Sequence, residues 1–293
     1  ISLYACYRPL YGSGIDLKLG GLNLTENIYL EGIVQLHIGE MQIENDLKKT
    51  ITSIGHIDDD ISSKVKLQYE ENPYPRWISL TRAKGKSFSM ILEGLFPNQS
   101  YDVTNIDPMS LDVLIAGCGT GRQVIESCLR YKNCQITAID ISLSSLAYAK
   151  RKVIEFGIKN IDFVQVDILE LDKLGKTFDL IECCGVLHHL ENPVKGWQML
   201  LTRLKPLGFM KIALYSELAR TSLKKMLTYI ENKNYSSSPD GIRLFRNELR
   251  QLPVDHEFTS AFMSKDFYSL SACRDLFFHV QEKRFSIDEI ENI

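Results

Sequence analysis

The sequence predicts an α/β fold built on a parallel sheet, and three observations point to it. From Leu111 onward, short apolar runs alternate with amphipathic stretches, the rhythm of βαβ units. Three glycines, Gly117, Gly119 and Gly121, stand where the first run gives way to a helical pattern. Acids close the next two apolar runs, Asp140 and Asp167. The 293 residues, 44% of them hydrophobic, suffice for one sizeable core and an appendage.

Taken in order, residues 1–60 carry helical signals, such as Leu30, Ile33, Val34, Leu36 and His37 in "YLEGIVQLHIGEM", and read as a helical appendage. Residues 61–110 hold a tyrosine, proline and tryptophan cluster and the turn former "FPNQS", and read as a lid or connector. Residues 111–293 form the α/β domain. Its strands are "LDVLIAG", "QITAID", "IDFVQVD", "FDLIECC" and "FMKIALY". The helices between them are "RQVIESCLR", with Val124, Ile125, Cys128 and Leu129 on one face, "SSLAYAKRKVIEF", showing Leu146, Ala149 and Val153, and "VKGWQMLLTRL", aligning Val194, Trp197, Leu201 and Leu204. After Tyr215 the pattern is mainly helical. The closing "SIDEIENI" carries Ile287, Ile290 and Ile293 as an apolar stripe with nothing after it to pack upon. With Ile1 as its first residue, the chain reads as a fragment at both ends, truncated before the last strands and left with an open sheet edge.

Charge and composition exclude several functions. With 34 basic against 37 acidic residues the net charge is −3, far from the basic footprint that nucleic acid demands. No apolar run reaches the roughly 18 residues that cross a bilayer, and no charged-then-apolar leader opens the chain. A cytoplasmic protein is expected. Seven cysteines without CxxC spacing, with Cys183 and Cys184 adjacent, suit reduced, buried thiols better than a zinc or disulfide framework.

"VLIAGCGTGRQ" places its glycines where a side chain would keep the backbone from a ligand laid across the strand ends. A tight turn needs glycines too, so the spacing matters. A dinucleotide fingerprint G-x-G-x-x-G would put its third glycine at position 122, which is Arg122. A nicotinamide-type pyrophosphate site is therefore disfavoured. Asp140 follows the turn by about twenty residues, the distance at which a carboxylate accepts from both ribose hydroxyls. Either acid alone reads equally well as a cap or a solvated group; with the glycines, both acids belong to one cleft.

Together, "VLIAGCGTG", "ITAID", "FVQVDILEL" and "FDLIECCGVLHHLENPVKGWQMLLTRLKPLGFMKIALYS" resemble the class I S-adenosylmethionine-dependent methyltransferases, over Leu111 to about Ser216. The resemblance implies a Rossmann-like sheet with flanking helices and S-adenosylmethionine as cofactor. It implies that Gly117, Cys118, Gly119 and Gly121 border the methionine and ribose, Asp140 with Ile141 holds the ribose, and Asp167 with Ile168 holds the adenine edge. The segment Cys184, Gly185 to His188 lines the methyl end. Family members continue into a sixth and seventh strand absent from these residues. "YEENPYPRW" and "YSLSACRDLFFHVQEKRFS" also resemble a bacterial subgroup often joined to tetratricopeptide repeats, which implies such a region upstream. The acceptor is left open, a small molecule or a protein side chain. A non-catalytic S-adenosylmethionine-binding interaction module is the alternative reading.

A sulfonium methyl is already activated, so transfer needs mainly proximity, alignment and exclusion of water. A base matters only for an acceptor that arrives protonated. His188 and His189 are the candidates, since histidine is most easily poised near neutral pH; the other reading is that one packs and the other caps the next helix. The "NPYP" of Tyr69 to Trp77 resembles the Asn-Pro-Pro-Tyr signature that holds an amino group in some methyltransferases. However, "SSKVKLQYE" before it is too polar for a central strand, and "CCGVLHH" already occupies the place after the fourth strand. The proline-stiffened segment reads instead as a lid. Tyr69 and Tyr74 close over cofactor or acceptor, and Arg76 pairs with a carboxylate. In the competing reading Tyr74 and Trp77 only anchor the appendage and Arg76 is solvated.

Overall fold

Leu114, Ile115, Ile136, Ile139 and Ile181 have no exposed surface. Each stabilises the fold by about 1.5–3 kcal/mol on leaving water. Their strands are apolar on both faces because helices cover both sides of a parallel sheet. The computed structural model describes residues 1–6, 8–15, 27–81, 85–103, 106–107 and 109–293. They divide into two compact units, Ile1–Ile51 and Thr52–Ile293.

In the first unit, helices span Ser2–Ala5, Ile28–Val34 and Glu40–Lys48, and Gln35–Gly39 forms a π turn. Leu10 and Ile38 are its buried centre, with Ala5, Ile15, Ile33 and Val34 packed around them.

The second unit holds a six-stranded sheet. Its strands are β1 Thr52–Ser53, β2 Leu111–Ala116, β3 Cys134–Asp140, β4 Ile161–Gln165, β5 Phe178–Cys184 and β6 Leu204–Ala213, in the order β1-β4-β3-β2-β5-β6. Every neighbouring pair is parallel. All five strands read from the sequence are present. Thr52–Ser53 is a sixth, where the sequence suggested helix; Ser53 Oγ donates to Gln165 Oε1 at 2.7 Å and Ile54 N to Gln165 O at 2.9 Å. β6 starts earlier than "FMKIALY", with an irregularity in its register opposite Phe178 and Leu180 that lets Leu204–Gly208 join.

The polar stretch before "NPYP" is a helix, Asp60–Glu71, whose first turn is held by Asp59 Oδ1 accepting from Ser62 N at 2.7 Å. Helices Arg122–Arg130, Leu143–Glu155 and Pro193–Leu201 follow β2, β3 and β5. Beyond β6 come Thr221–Asn232, Pro239–Leu249, Leu270–Phe277 and Ile287–Glu291. The first three enclose a second core around fully buried Phe245 and Phe267. Ile287, Ile290 and Ile293 are exposed. No helix among the described residues is long and apolar enough to cross a membrane.

Candidate active site

The carboxyl ends of β2, β3 and β5 converge on a cleft with a cavity of about 330 Å³. At the end of β2 the chain turns through Gly117–Gly121. Gly119 sits at φ 51°, and a Cβ there would come within 2.9 Å of the Tyr74 carbonyl, so only glycine lets the two backbones approach. Gly119 N donates to Asp140 Oδ2 at 2.8 Å, and Ser142 N to Asp140 Oδ1 at 2.9 Å. Asp140 is thus aimed at the turn from the end of β3. Burial outweighs those two hydrogen bonds and, with Glu70 nearby, lifts its carboxyl to about 6. Asp167, 3% exposed after β4, accepts from Leu169 N at 2.9 Å and caps the short turn that follows.

Of the residues singled out by sequence, Gly117, Cys118, Gly119, Asp140 and Ile141 line the cleft, as do Asp167, Ile168, Cys184 and Gly185. Tyr69, Tyr74 and His189 join them. Gly121, Arg76 and His188 lie outside this lining. Gly121 serves packing: a Cβ at its φ of 80° would meet Ala149 Cβ at 2.5 Å, so it lets the helices Arg122–Arg130 and Leu143–Glu155 touch. Arg76 is exposed, its guanidinium 5.8 Å from the Tyr148 ring centre.

His188 is fully buried and stacked on Tyr215 at 3.7 Å between ring centres. Burial, with His189 and Arg220 beside it, pushes it down to about 2. His189 has Nδ1 2.7 Å from the Gln281 carbonyl, so that nitrogen carries the proton, and its ring stacks on His279 at 3.6 Å. Burial holds it down to about 4. The neutral-pH poise expected of these histidines is absent, because both left water without gaining a carboxylate.

"YEENPYPRW" crosses the glycine turn as a strap. Thr120 hydroxyl donates to the Pro75 carbonyl, and Trp77 Nε1 donates to the Thr120 carbonyl at 3.1 Å. Tyr148 hydroxyl donates to Trp77 O at 2.6 Å and accepts from Trp77 N at 3.3 Å. Glu70 accepts from Leu143 N, Ser144 N and Ser144 Oγ at the start of the helix Leu143–Glu155, where an acid complements the helix dipole. The Tyr74–Pro75 bond is cis. The strap also meets the late segment that "YSLSACRDLFFHVQEKRFS" flagged: Tyr69 hydroxyl donates to Asp275 Oδ1 at 2.7 Å, Arg274 pairs with Glu71, and Val280 N donates to Gln68 Oε1 at 3.2 Å. Asp275 and Tyr215 line the cleft. Sequence reasoning had assigned neither, although Asp275 lies inside the flagged stretch.

Residues 113–208 match the family model described as a methyltransferase domain. The chain is 34% identical over 148 residues to an uncharacterized protein of Synechococcus sp., covering 49% of this chain and 36% of that one. It is 32% identical over 139 residues to a ubiquinone biosynthesis O-methyltransferase of Rickettsia conorii, covering 47% of this chain and 44% of that one. Among solved structures, PKMT2 from Rickettsia typhi in complex with AdoHcy aligns with a TM-score of 0.46 at 20% identity, over 62% of this chain and 37% of that one. The chain thus spans less than half the length of each. The turn Gly117–Gly121 and the acids Asp140 and Asp167 fall within residues 113–208, the stretch that is similar to a methyltransferase domain.

Proposed function

We propose that the protein is an active S-adenosylmethionine-dependent methyltransferase acting on a small-molecule or protein side-chain acceptor. The observation that carries this reading is the Gly119–Asp140 link inside the cleft, 2.8 Å from amide to carboxylate. Bound S-adenosylmethionine supplies an electrophilic methyl group on sulfur. The glycine turn leaves room for its methionine and ribose, and Asp140 accepts from the ribose hydroxyls. Asp167 with Ile168 meets the adenine edge, and Cys184 with Gly185 stands at the methyl end. Tyr69 and Tyr74 exclude water from above, where transfer depends on alignment in a dry site.

The seven free cysteines, without CxxC spacing, support placement in a reducing compartment such as the cytoplasm. The resemblance of the strap supports a tetratricopeptide-repeat region upstream. Calorimetry with S-adenosylmethionine, followed by label transfer from methyl-labelled cofactor into a host lysate, tests the proposal. Binding with turnover supports it. Binding without turnover on any fraction replaces it with a cofactor-binding interaction module, and no binding removes both.

A further inference from the structure

Asp275, on the helix Leu270–Phe277, is 8% exposed and lines the cleft. Its hydrogen bonding is directional. Gln281 N donates to His279 Nδ1 at 3.1 Å, so the His279 proton sits on Nε2, which faces Tyr69 Oη at 3.0 Å and donates to it. The tyrosine hydroxyl proton is thereby turned to Asp275 Oδ1 at 2.7 Å. Among the described residues no hydrogen bond reaches Oδ2.

Among the described residues, Asp275 is bonded to Tyr69 from the helix Asp60–Glu71 and interacts electrostatically with Tyr74 from the strap, Tyr215 after β6, and the acids Asp266 and Glu282. Among the described residues the cation that acts on Asp275 is Arg220, and it is engaged elsewhere: it stacks 3.5 Å above the Tyr215 ring and lies 3.4 Å from Glu282. The carboxylate is therefore buried, acidic in its surroundings and free at one oxygen. A buried charge in that state is unfavourable until a cation reaches it. An anionic acceptor would meet repulsion from Asp275 and Asp140, and a neutral alcohol would leave the charge uncompensated.

We infer that Asp275 Oδ2 receives a protonated amino group and takes its proton, so that the acceptor class is an amine; this rests on the methyltransferase reading above. The N–H bond breaks and an O–H bond forms on Asp275. The pair left on nitrogen forms the new bond to the methyl carbon, whose old bonding pair leaves with sulfur. The positive charge passes from the sulfonium to the methylated nitrogen. A carboxyl held up to about 7, chiefly by burial, is suited to that exchange near neutral pH.

The test begins with calorimetry of AdoHcy on the full chain, wild type, Asp275→Asn and Tyr69→Phe. Failure of the wild type to bind overturns the cofactor reading, and this inference with it. With AdoHcy bound, melting temperature is followed against n-butylammonium, n-butanol and butyrate. The expected result is stabilisation by n-butylammonium alone, lost in Asp275→Asn while AdoHcy affinity is kept. Equal stabilisation by n-butanol or butyrate, or an ammonium response that survives Asp275→Asn, overturns the amine assignment and leaves the cofactor reading intact. Tyr69→Phe removes a bond that favours the carboxylate, so the pH midpoint of the ammonium response should move upward; an unmoved midpoint counts against the proposal. Finally, methyl label transferred in a host lysate should survive mild alkali, as N-methyl groups do. Release as methanol would identify a methyl ester and refute the amine.

Discussion

Tyr69 and Asp275 are 206 residues apart in sequence and 2.7 Å apart in space, hydroxyl to carboxylate. Burial and the neighbouring Asp275 push the tyrosine well above its ordinary value, so it remains a donor at any physiological pH. The acid is the member of the pair that titrates.

That asymmetry has a stability signature. The Asp275 carboxyl is raised from an ordinary value near 4 to about 7. A raised folded-state value means that its contribution to stability is fully present below about pH 4 and is lost as pH rises through about 7. Asp275→Asn keeps an acceptor for Tyr69 and carries no charge. Its melting temperature should equal that of the wild type near about pH 4 and exceed it above about pH 7, by on the order of 1–3 kcal/mol in unfolding free energy. Denaturant titrations at the two pH extremes check this, and a constant offset would refute it.

Asp140 makes a parallel prediction for ligand binding. On the proposed role only the ionised carboxylate accepts from both ribose hydroxyls, and its carboxyl sits at about 6. AdoHcy affinity should therefore strengthen as pH rises through about 6. Asp140→Ala should abolish that dependence and weaken binding by roughly 1.5–3 kcal/mol per lost charge-assisted hydrogen bond. Calorimetry across the pH range measures both effects in one series.

Gly119→Ala tests the close approach of turn and strap. The added Cβ would need the Tyr74 carbonyl to retreat from 2.9 Å and would hold a positive φ at about 1–3 kcal/mol of strain. The expected outcome is weaker AdoHcy binding together with faster amide exchange over residues 72–77. Exchange rates identical to the wild type would mean that the strap does not rest on the turn.

Trp77→Ala should lower stability by about 3–5 kcal/mol, the usual range for emptying a large aromatic site. The ring is 6% exposed, in edge contact with Tyr148 and Phe156, and its Nε1 is bonded to the Thr120 carbonyl. Trp77→Phe keeps most of the apolar contact and loses that donor. It should fall in between. Chemical denaturation ranks the three proteins.

The elements with a strong period were legible. "RQVIESCLR" matches the helix Arg122–Arg130 residue for residue, and the five long apolar runs became β2 to β6, because burial on one helix face or both sheet faces writes itself into spacing. The two-residue strand Thr52–Ser53 is too short to leave a pattern. Glycine identity announced a turn but not its reason: Gly119 faces the strap and Gly121 faces Ala149. Type and position marked His188 and His189, yet their basicity is set by a desolvation that local sequence does not display. Asp275 was invisible for a third reason. Its significance comes from Tyr69 and His279, and a meeting across so many residues is decided only by tertiary packing.

The strap and the late segment lock onto each other through Tyr69–Asp275, Glu71–Arg274 and Gln68–Val280. Both lie outside the stretch that matches the methyltransferase domain, residues 113–208. An excised core would keep the glycine turn with Asp140 and Asp167 and lose Tyr69, Tyr74 and Asp275, which line the same cleft. On the proposed role of Asp275, transplanting the acceptor side of the cleft would require moving both distant pieces of chain together, since either piece alone would arrive without its hydrogen-bond partners.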